Sequence, residues 1–188
     1  MKDLFKELIK DTRERMQKSV ESVRSEFASI RTGRASSALL DGIMVECYGT
    51  RMPLNQVATI GIPEPRLIVV TPFDKSVTGD IQKAILKSDL GLTPIVASNM
   101  IRLSIPPLTE ERRKNVVKTV HRIAEEGKIA VRNIRRDAND HIKKAEKDKS
   151  VSEDDAHHWL SEVQKLTDKY VEQIDELVTQ KEKDIMEG

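Results

Sequence analysis

VVKTVHRIAEEGKIAVRNIRRDANDHIKKA, residues 116–145, decides the architecture. Val117, Val120, Ala124, Gly127, Val131, Ile134, Ala138, His141 and Ala145 recur at alternating steps of three and four over about four heptads. Such a pattern is a helix that packs along one stripe. Its small residues let a neighbouring helix come close. Gly127 costs about 1 kcal/mol of helix propensity relative to Ala, so its place on the seam is expected to have a packing reason. Upstream, Pro106 and Pro107 deny a helix, Thr109 can cap, and Glu110 and Glu111 suit the positive end of the dipole. The helix is therefore expected to begin near Thr109.

Two further helices flank it. Downstream, the polar run KDKSV (147–151) is a turn, and a short turn makes antiparallel neighbours. Ser152 with Asp155 forms an imperfect capping box for a helix with the stripe Ala156, Leu160, Val163, Thr167, Tyr170, Ile174 and Leu177, widened by Trp159 and Leu166. At the other end of the chain, Ile9, Met16, Val23 and Ile30 recur every seven residues, joined by Val20 and Phe27, so the first thirty residues read as one amphipathic helix. Three helices of such length each span roughly 45–60 Å. The economical arrangement is an elongated antiparallel three-helix bundle.

Residues 31–107 break the pattern. All seven prolines and six of the eight glycines lie there. The runs IMVECY (43–48), VATIGI (57–62), LIVVT (67–71) and IRLSI (101–105) read as strands, and TGDIQKAILKSDL (78–90) as a helix ended before Gly91 and Pro94. The fold class is thus α+β: a bundle from residues 1–30 plus 106–188, with a small β-rich α/β domain, 31–105, inserted. The chain crosses the boundary twice, near Gly33 and near Pro106 and Pro107. Those crossings form either a hinge, which Gly33 favours, or a rigid packed junction.

Composition removes several function classes. The 188 residues (21.3 kDa) are 34% charged, yet 32 Lys and Arg against 31 Asp and Glu leave a net charge of +1. A polybasic tail is excluded. Aromatics at 3% are too few for a platform that stacks single-stranded bases. One cysteine, Cys47, makes neither an internal disulfide nor a cysteine-rich metal site, and its strand-like setting beside Tyr48 reads as a buried structural thiol. No signal peptide or membrane span is visible, so the expectation is a cytoplasmic protein without membrane association. The four histidines are dispersed, and no HExxH, P-loop or GxGxxG occurs. The expectation is no enzyme, no catalytic residue, no metal site and no cofactor.

Charge is distributed unevenly. Residues 109–149 carry 13 basic and 8 acidic groups, a net of +5, while 150–188 carry 4 and 11, a net of −7. With Val131 and Ile134 inward, Arg132 and Arg136 face away from the core, Arg135 lies on the flank, and Lys128 joins that flank one turn earlier. An outward guanidinium cluster suits bidentate phosphate contacts. The other reading is an ordinary solvated helix face.

Several longer blocks carry a resemblance. RTGRAS (31–36) followed by LLDGI (39–43) sits at the first junction and SDLGLTP (88–94) ends the insert helix. PPLTEERRK (106–114) opens the second long helix, VRNIRRDAND (131–140) is its arginine segment, and SEDD (152–155) with VQKLTDKY (163–170) marks the third. Over essentially its whole length the chain resembles the bacterial-type ribosome recycling factor family. It departs in one place: Ser37 stands where the family usually has Pro after RTGRAS. The resemblance implies an L-shaped, monomeric protein with the outline of transfer RNA. It implies binding to large-subunit rRNA of the 70S ribosome and, with elongation factor G and GTP, disassembly of the post-termination complex into subunits for reuse in translation. It also implies an rRNA contact through Arg132, with Lys128, Arg135 and Arg136 in the same segment, and a hinge at Arg31, Gly33, Arg34, Pro106 and Pro107. A helical interaction scaffold would explain the long charged helices but not the clustered arginines. A hydrolase lacks a legible nucleophile–base pair.

Overall fold

A computed structural model of the protein describes residues 2–188. Contacts divide the chain into two compact units: one holds α1 (Lys2–Ala28) and Asn115–Lys183, the other Ser29–Lys114 and Asp184–Gly188. Along α1 the buried positions are Phe5, Ile9, Thr12, Met16, Val20, Val23 and Phe27, spaced by threes and fours. Thr12 is tolerated on this stripe because its hydroxyl donates to the Leu8 carbonyl at 2.7 Å. The helix closes at Ala28, so Ile30, expected as the last residue of the stripe, lies beyond it.

The second unit follows. β1 (Met44–Cys47) and β2 (Thr50–Pro53) form an antiparallel hairpin, with Tyr48 and Gly49 at positive φ in its tip. A single turn, α2 (Leu54–Val57), leads into β3 (Ala58–Glu64), β4 (Leu67–Pro72), α3 (Thr78–Lys87), β5 (Ile95–Ala97) and β6 (Met100–Ser104). The four-stranded sheet has the order β3-β4-β6-β5 and is antiparallel throughout. Alternation puts Ile68 and Val70 of β4 and Ile101 and Leu103 of β6 on one face, packed with Val45, Leu54, Ile81 and Ile85. The four strands expected from sequence are present. β2 and β5 are additional. Every residue of β5 is exposed, so it carries no alternation to read. The insert helix ends at Lys87, earlier than the expected 90, where the Ser88 hydroxyl donates to the Ile85 carbonyl.

α4 (Glu110–Lys147) starts where expected, with the Thr109 hydroxyl accepting the Arg112 N–H at 3.2 Å. α5 (Glu153–Glu187) is capped by Ser152, whose hydroxyl accepts the Asp155 N–H at 3.0 Å. The stripe on α4 needs one correction. Val120, Ala124, Gly127, Val131, Ile134 and Ala138 are buried, but His141 is exposed and Ile142 takes its place at 0% exposure. At 3.6 residues per turn, a step of four from Ala138 returns closer to the seam than a step of three there, and the apolar side chain takes the inner position.

Cross-helix pairs fix the direction of packing. His121, Lys128 and Arg135 of α4 meet Glu182, Asp175 and Gln164 of α5, so partner numbers fall as α4 numbers rise. On the other side Arg15 of α1 pairs with Asp137. α4 is antiparallel to both neighbours. A β-carbon on Gly127 would lie 2.4 Å from Val23 Cγ2 and 3.3 Å from Ile174 Cδ1. Its expected packing reason is therefore visible: both neighbours close onto the helix at the residue that has no side chain. Near the α4–α5 turn, Phe5, Ile9, Ile142, Ala156 and Val163 form a compact cluster, with Phe5 stacked on Trp159 at 5.9 Å.

Candidate nucleic-acid interface

Val131 and Ile134, 0% and 7% exposed, set the inward side of α4. Arg136 is then exposed, while Arg132 and Arg135 are half-buried along their stems, as expected for long cationic side chains crossing a helix surface. The Arg135 guanidinium donates to Gln164 Oε1 and that of Arg136 to Asn133 Oδ1, each at 3.5 Å. Both acceptors are neutral and the contacts long, so neither guanidinium loses its charge to a carboxylate. Arg132 has no ion pair or side-chain hydrogen bond to any described residue.

Four of the acids nearby are occupied elsewhere. Asp137 accepts from Arg15 at 2.9 Å, Glu125 lies 3.6 Å from Lys128 Nζ, and Asp168 accepts from Gln164 at 2.8 Å. Glu162 accepts from Lys165 at 2.9 Å, and that hydrogen bond and charge hold its carboxyl below the usual carboxylate range. Asp140, exposed one turn beyond Arg136, is the acid closest in sequence on the outward side. The result is a cationic stretch at 132–136 whose hydrogen-bonding capacity is largely unspent. A guanidinium of this kind gains about 1.5–3 kcal/mol from a charge-assisted hydrogen bond.

Lys128 stands apart from the three arginines. Its side chain is only 16% exposed and its ammonium is ion-paired with Asp175 as well as Glu125. It ties α4 to α5. Asn133 and Gln164, which hold two of the guanidinia, were not singled out from sequence. Asn133 is three residues before Arg136 and could have been, whereas Gln164 is on another helix with no local signal.

The expected hinge residues all lie in the second unit. Gly33 is buried with φ +76°, and a β-carbon there would lie 3.3 Å from Leu108 Cγ and Leu108 N. Arg31 donates to the carbonyls of Leu90 and Asp89 at 3.0 and 3.4 Å. Arg34 is ion-paired with Asp184 at 3.5 Å and Glu187 at 3.8 Å. Pro106 and Pro107 are exposed between β6 and α4.

Other candidate sites carry less. A cleft of about 650 Å³ in the second unit is lined by Arg31, Asp41, Glu46, Arg51, Asp80 and Lys83, whose charges offset one another. At the β1–β2 tip the exposed Tyr48 hydroxyl donates to Asp74 Oδ2 at 2.6 Å. That bond raises the phenol above its ordinary range and, with the Ser76 N–H, lowers the Asp74 carboxyl. Cys47 is buried. Among the described residues no group of three or more His, Cys, Asp or Glu is placed to hold a metal ion, and no helix is long and apolar enough to cross a membrane.

Comparison with known proteins gives a consistent result. The sequence model of the family described as ribosome recycling factor matches residues 23–186. The chain is 54% identical over 184 residues to the ribosome-recycling factor of Bacillus subtilis, covering 98% of this chain and 100% of that one. It is 57% identical over 184 residues to that of Halalkalibacterium halodurans, with the same coverage. A solution structure of the ribosome recycling factor superposes with a TM-score of 0.78 at 42% identity, covering 98% of each chain. A second similar structure belongs to a set of models for the T. thermophilus ribosome recycling factor and the E. coli elongation factor G bound to the E. coli post-termination complex. Its TM-score is 0.66 at 47% identity, covering 96% of this chain and 98% of that one.

Proposed function

The chain belongs to the ribosome recycling factor family, and from that premise we propose that it binds the post-termination 70S ribosome and, with elongation factor G and GTP, separates the subunits. The family is one of translation factors that are not enzymes. The protein therefore supplies binding and leverage, while the chemistry, GTP hydrolysis, belongs to the partner.

The three long helices provide stiffness. α4 and α5 are capped at their starts by Thr109 and Ser152, and each of the three is held along its length by a buried seam. The proposed rRNA contact is the outward side of α4, led by Arg132 with Arg135 and Arg136, and Lys128 at its edge. One observation carries this assignment: the three guanidinia have no carboxylate partner, although acids are abundant along the same helices. Phosphate contacts position such a protein on folded RNA, and the scarcity of aromatics favours backbone over unstacked bases. A net charge of +1 limits long-range, non-specific attraction and leaves binding to this local cationic stretch.

We further place the domain boundary as a bundle of 1–30 plus 106–188 and an insert of 31–105, with a hinge at Arg31, Gly33, Arg34, Pro106 and Pro107. Gly33 at positive φ and the two prolines support it, since neither segment continues a helix. The insert would move about this hinge when the GTPase engages. The experiment is conversion of polysomes to monosomes and subunits with elongation factor G and GTP. Stimulation by the protein is the expected result, and its absence would refute the proposal.

A further inference from the structure

Ile129 is the one large apolar side chain of α4 that stands exposed among the described residues, at 51%. Val120, Ile123, Val131, Ile134 and Ile142 all turn inward. Isolated apolar residues are common on protein surfaces and by themselves mean nothing. Its neighbours make this one different. At 100° per residue, Arg132 three positions on and Arg136 seven positions on share its side of the helix, while Arg122, seven before, is ion-paired with Glu126 at 2.9 Å. The acid four residues before it, Glu125, is engaged by Lys128. Helix propensity favours Ala, Lys or Glu over Ile at an exposed position. An apolar spot thus sits one and two turns before the guanidinium groups of Arg132 and Arg136, neither of which has a carboxylate partner.

That combination matches folded RNA better than a uniform phosphate surface. The shallow minor groove of an A-form helix presents riboses and base edges between two lines of phosphate. Proteins that seat in a DNA minor groove place apolar side chains beside cationic ones, and the same pairing suits this surface. We infer that Ile129 packs on a ribose or base face of rRNA while Arg132 and Arg136 hold the flanking phosphates. The inference rests on the assignment of this face of α4 to rRNA, and it adds a binding residue whose contribution does not depend on salt.

The test is binding of wild-type, Ile129→Ala, Ile129→Lys and Arg132→Ala proteins to vacant 70S ribosomes at two salt concentrations. Thermal melting followed by Trp159 fluorescence confirms that each variant keeps its fold. Ile129→Ala is expected to weaken binding about three- to tenfold, the effect of a few lost methyl and methylene contacts, with the salt dependence unchanged. Ile129→Lys should weaken it as well, even at low salt. Arg132→Ala should lower the salt slope by about 0.7–0.9. Unaltered affinity of Ile129→Ala would overturn the inference. So would tighter, more salt-sensitive binding by Ile129→Lys, since position 129 would then face phosphate. If Arg132→Ala leaves binding unchanged while Ile129→Ala weakens it, the arginine assignment fails and the Ile129 contact stands.

Discussion

Replacing Gly127 by Ala should destabilise the bundle, although Ala is the better helix former by about 1 kcal/mol. The added methyl would begin 2.4 Å from Val23 Cγ2 and 3.3 Å from Ile174 Cδ1. The first distance is shorter than real contacts permit, so something must move. Val23 is β-branched and held in essentially one rotamer within a helix, so it cannot swing aside cheaply. Forcing a methyl into a packed seam costs roughly 1–3 kcal/mol. Offset by the propensity gain, the net loss is up to about 2 kcal/mol. For a chain of this size that lowers the melting temperature by roughly 2–4 °C per kcal/mol. Trp159 lies in the same unit, so its fluorescence reports the relevant transition. A double-mutant cycle isolates the contact: in a Val23→Ala background the clash with Cγ2 is gone and only the 3.3 Å approach to Ile174 remains, so Gly127→Ala should cost clearly less. A Gly127→Ala single variant that melts at or above the wild-type temperature would refute the close-approach account of this residue.

Other consequences are smaller. Lys128→Ala should cost about 1 kcal/mol or less of bundle stability through its α4–α5 ion pair, and it should change the salt slope of ribosome binding less than Arg132→Ala; equal slope changes would place Lys128 on the interface. Asp74→Asn should return the Tyr48 phenol toward its ordinary range, read by phenolate absorbance in an alkaline titration. The Tyr48–Asp74 tie stabilises only between the two titrations. It is lost as pH falls through the lowered Asp74 value and as pH rises through the raised Tyr48 value, and an Asn variant with an unchanged Tyr48 titration would dissolve it. Labels in the insert and in the helices should give a broad distance distribution in the free protein if the hinge operates, and a single narrow distance would mean a rigid junction.

Much of the fold is legible because its stripes are long. Met16, Val20, Val23 and Phe27, or Val131, Ile134 and Ala138, leave little choice of face, and the caps Thr109 and Ser152 mark the starts of α4 and α5. The seam drifts where the pattern is ambiguous: His141 and Ile142 are adjacent, and only packing puts Ile142 inside. β2 and β5 are not legible because strands of four and three residues with no buried position show no period to detect. At the candidate interface, spacing alone placed Arg132 and Arg136 outward. It could not tell that Lys128 spends its charge on Asp175, a residue 47 positions away on another helix. Nor could it show that Asp137, Glu125, Asp168 and Glu162 are already partnered. Near-neutral net charge similarly hides the +5 stretch at 109–149 beside the −7 stretch at 150–188.

The most direct measurement of the central claim is the rate of subunit separation, with elongation factor G and GTP, as a function of factor concentration for wild type and Arg132→Ala. Loss of one charge-assisted contact of about 1.5–3 kcal/mol predicts that the half-maximal concentration rises tenfold or more with the fold intact. The same half-maximal concentration for both proteins would contradict the assignment of Arg132 as the leading rRNA contact.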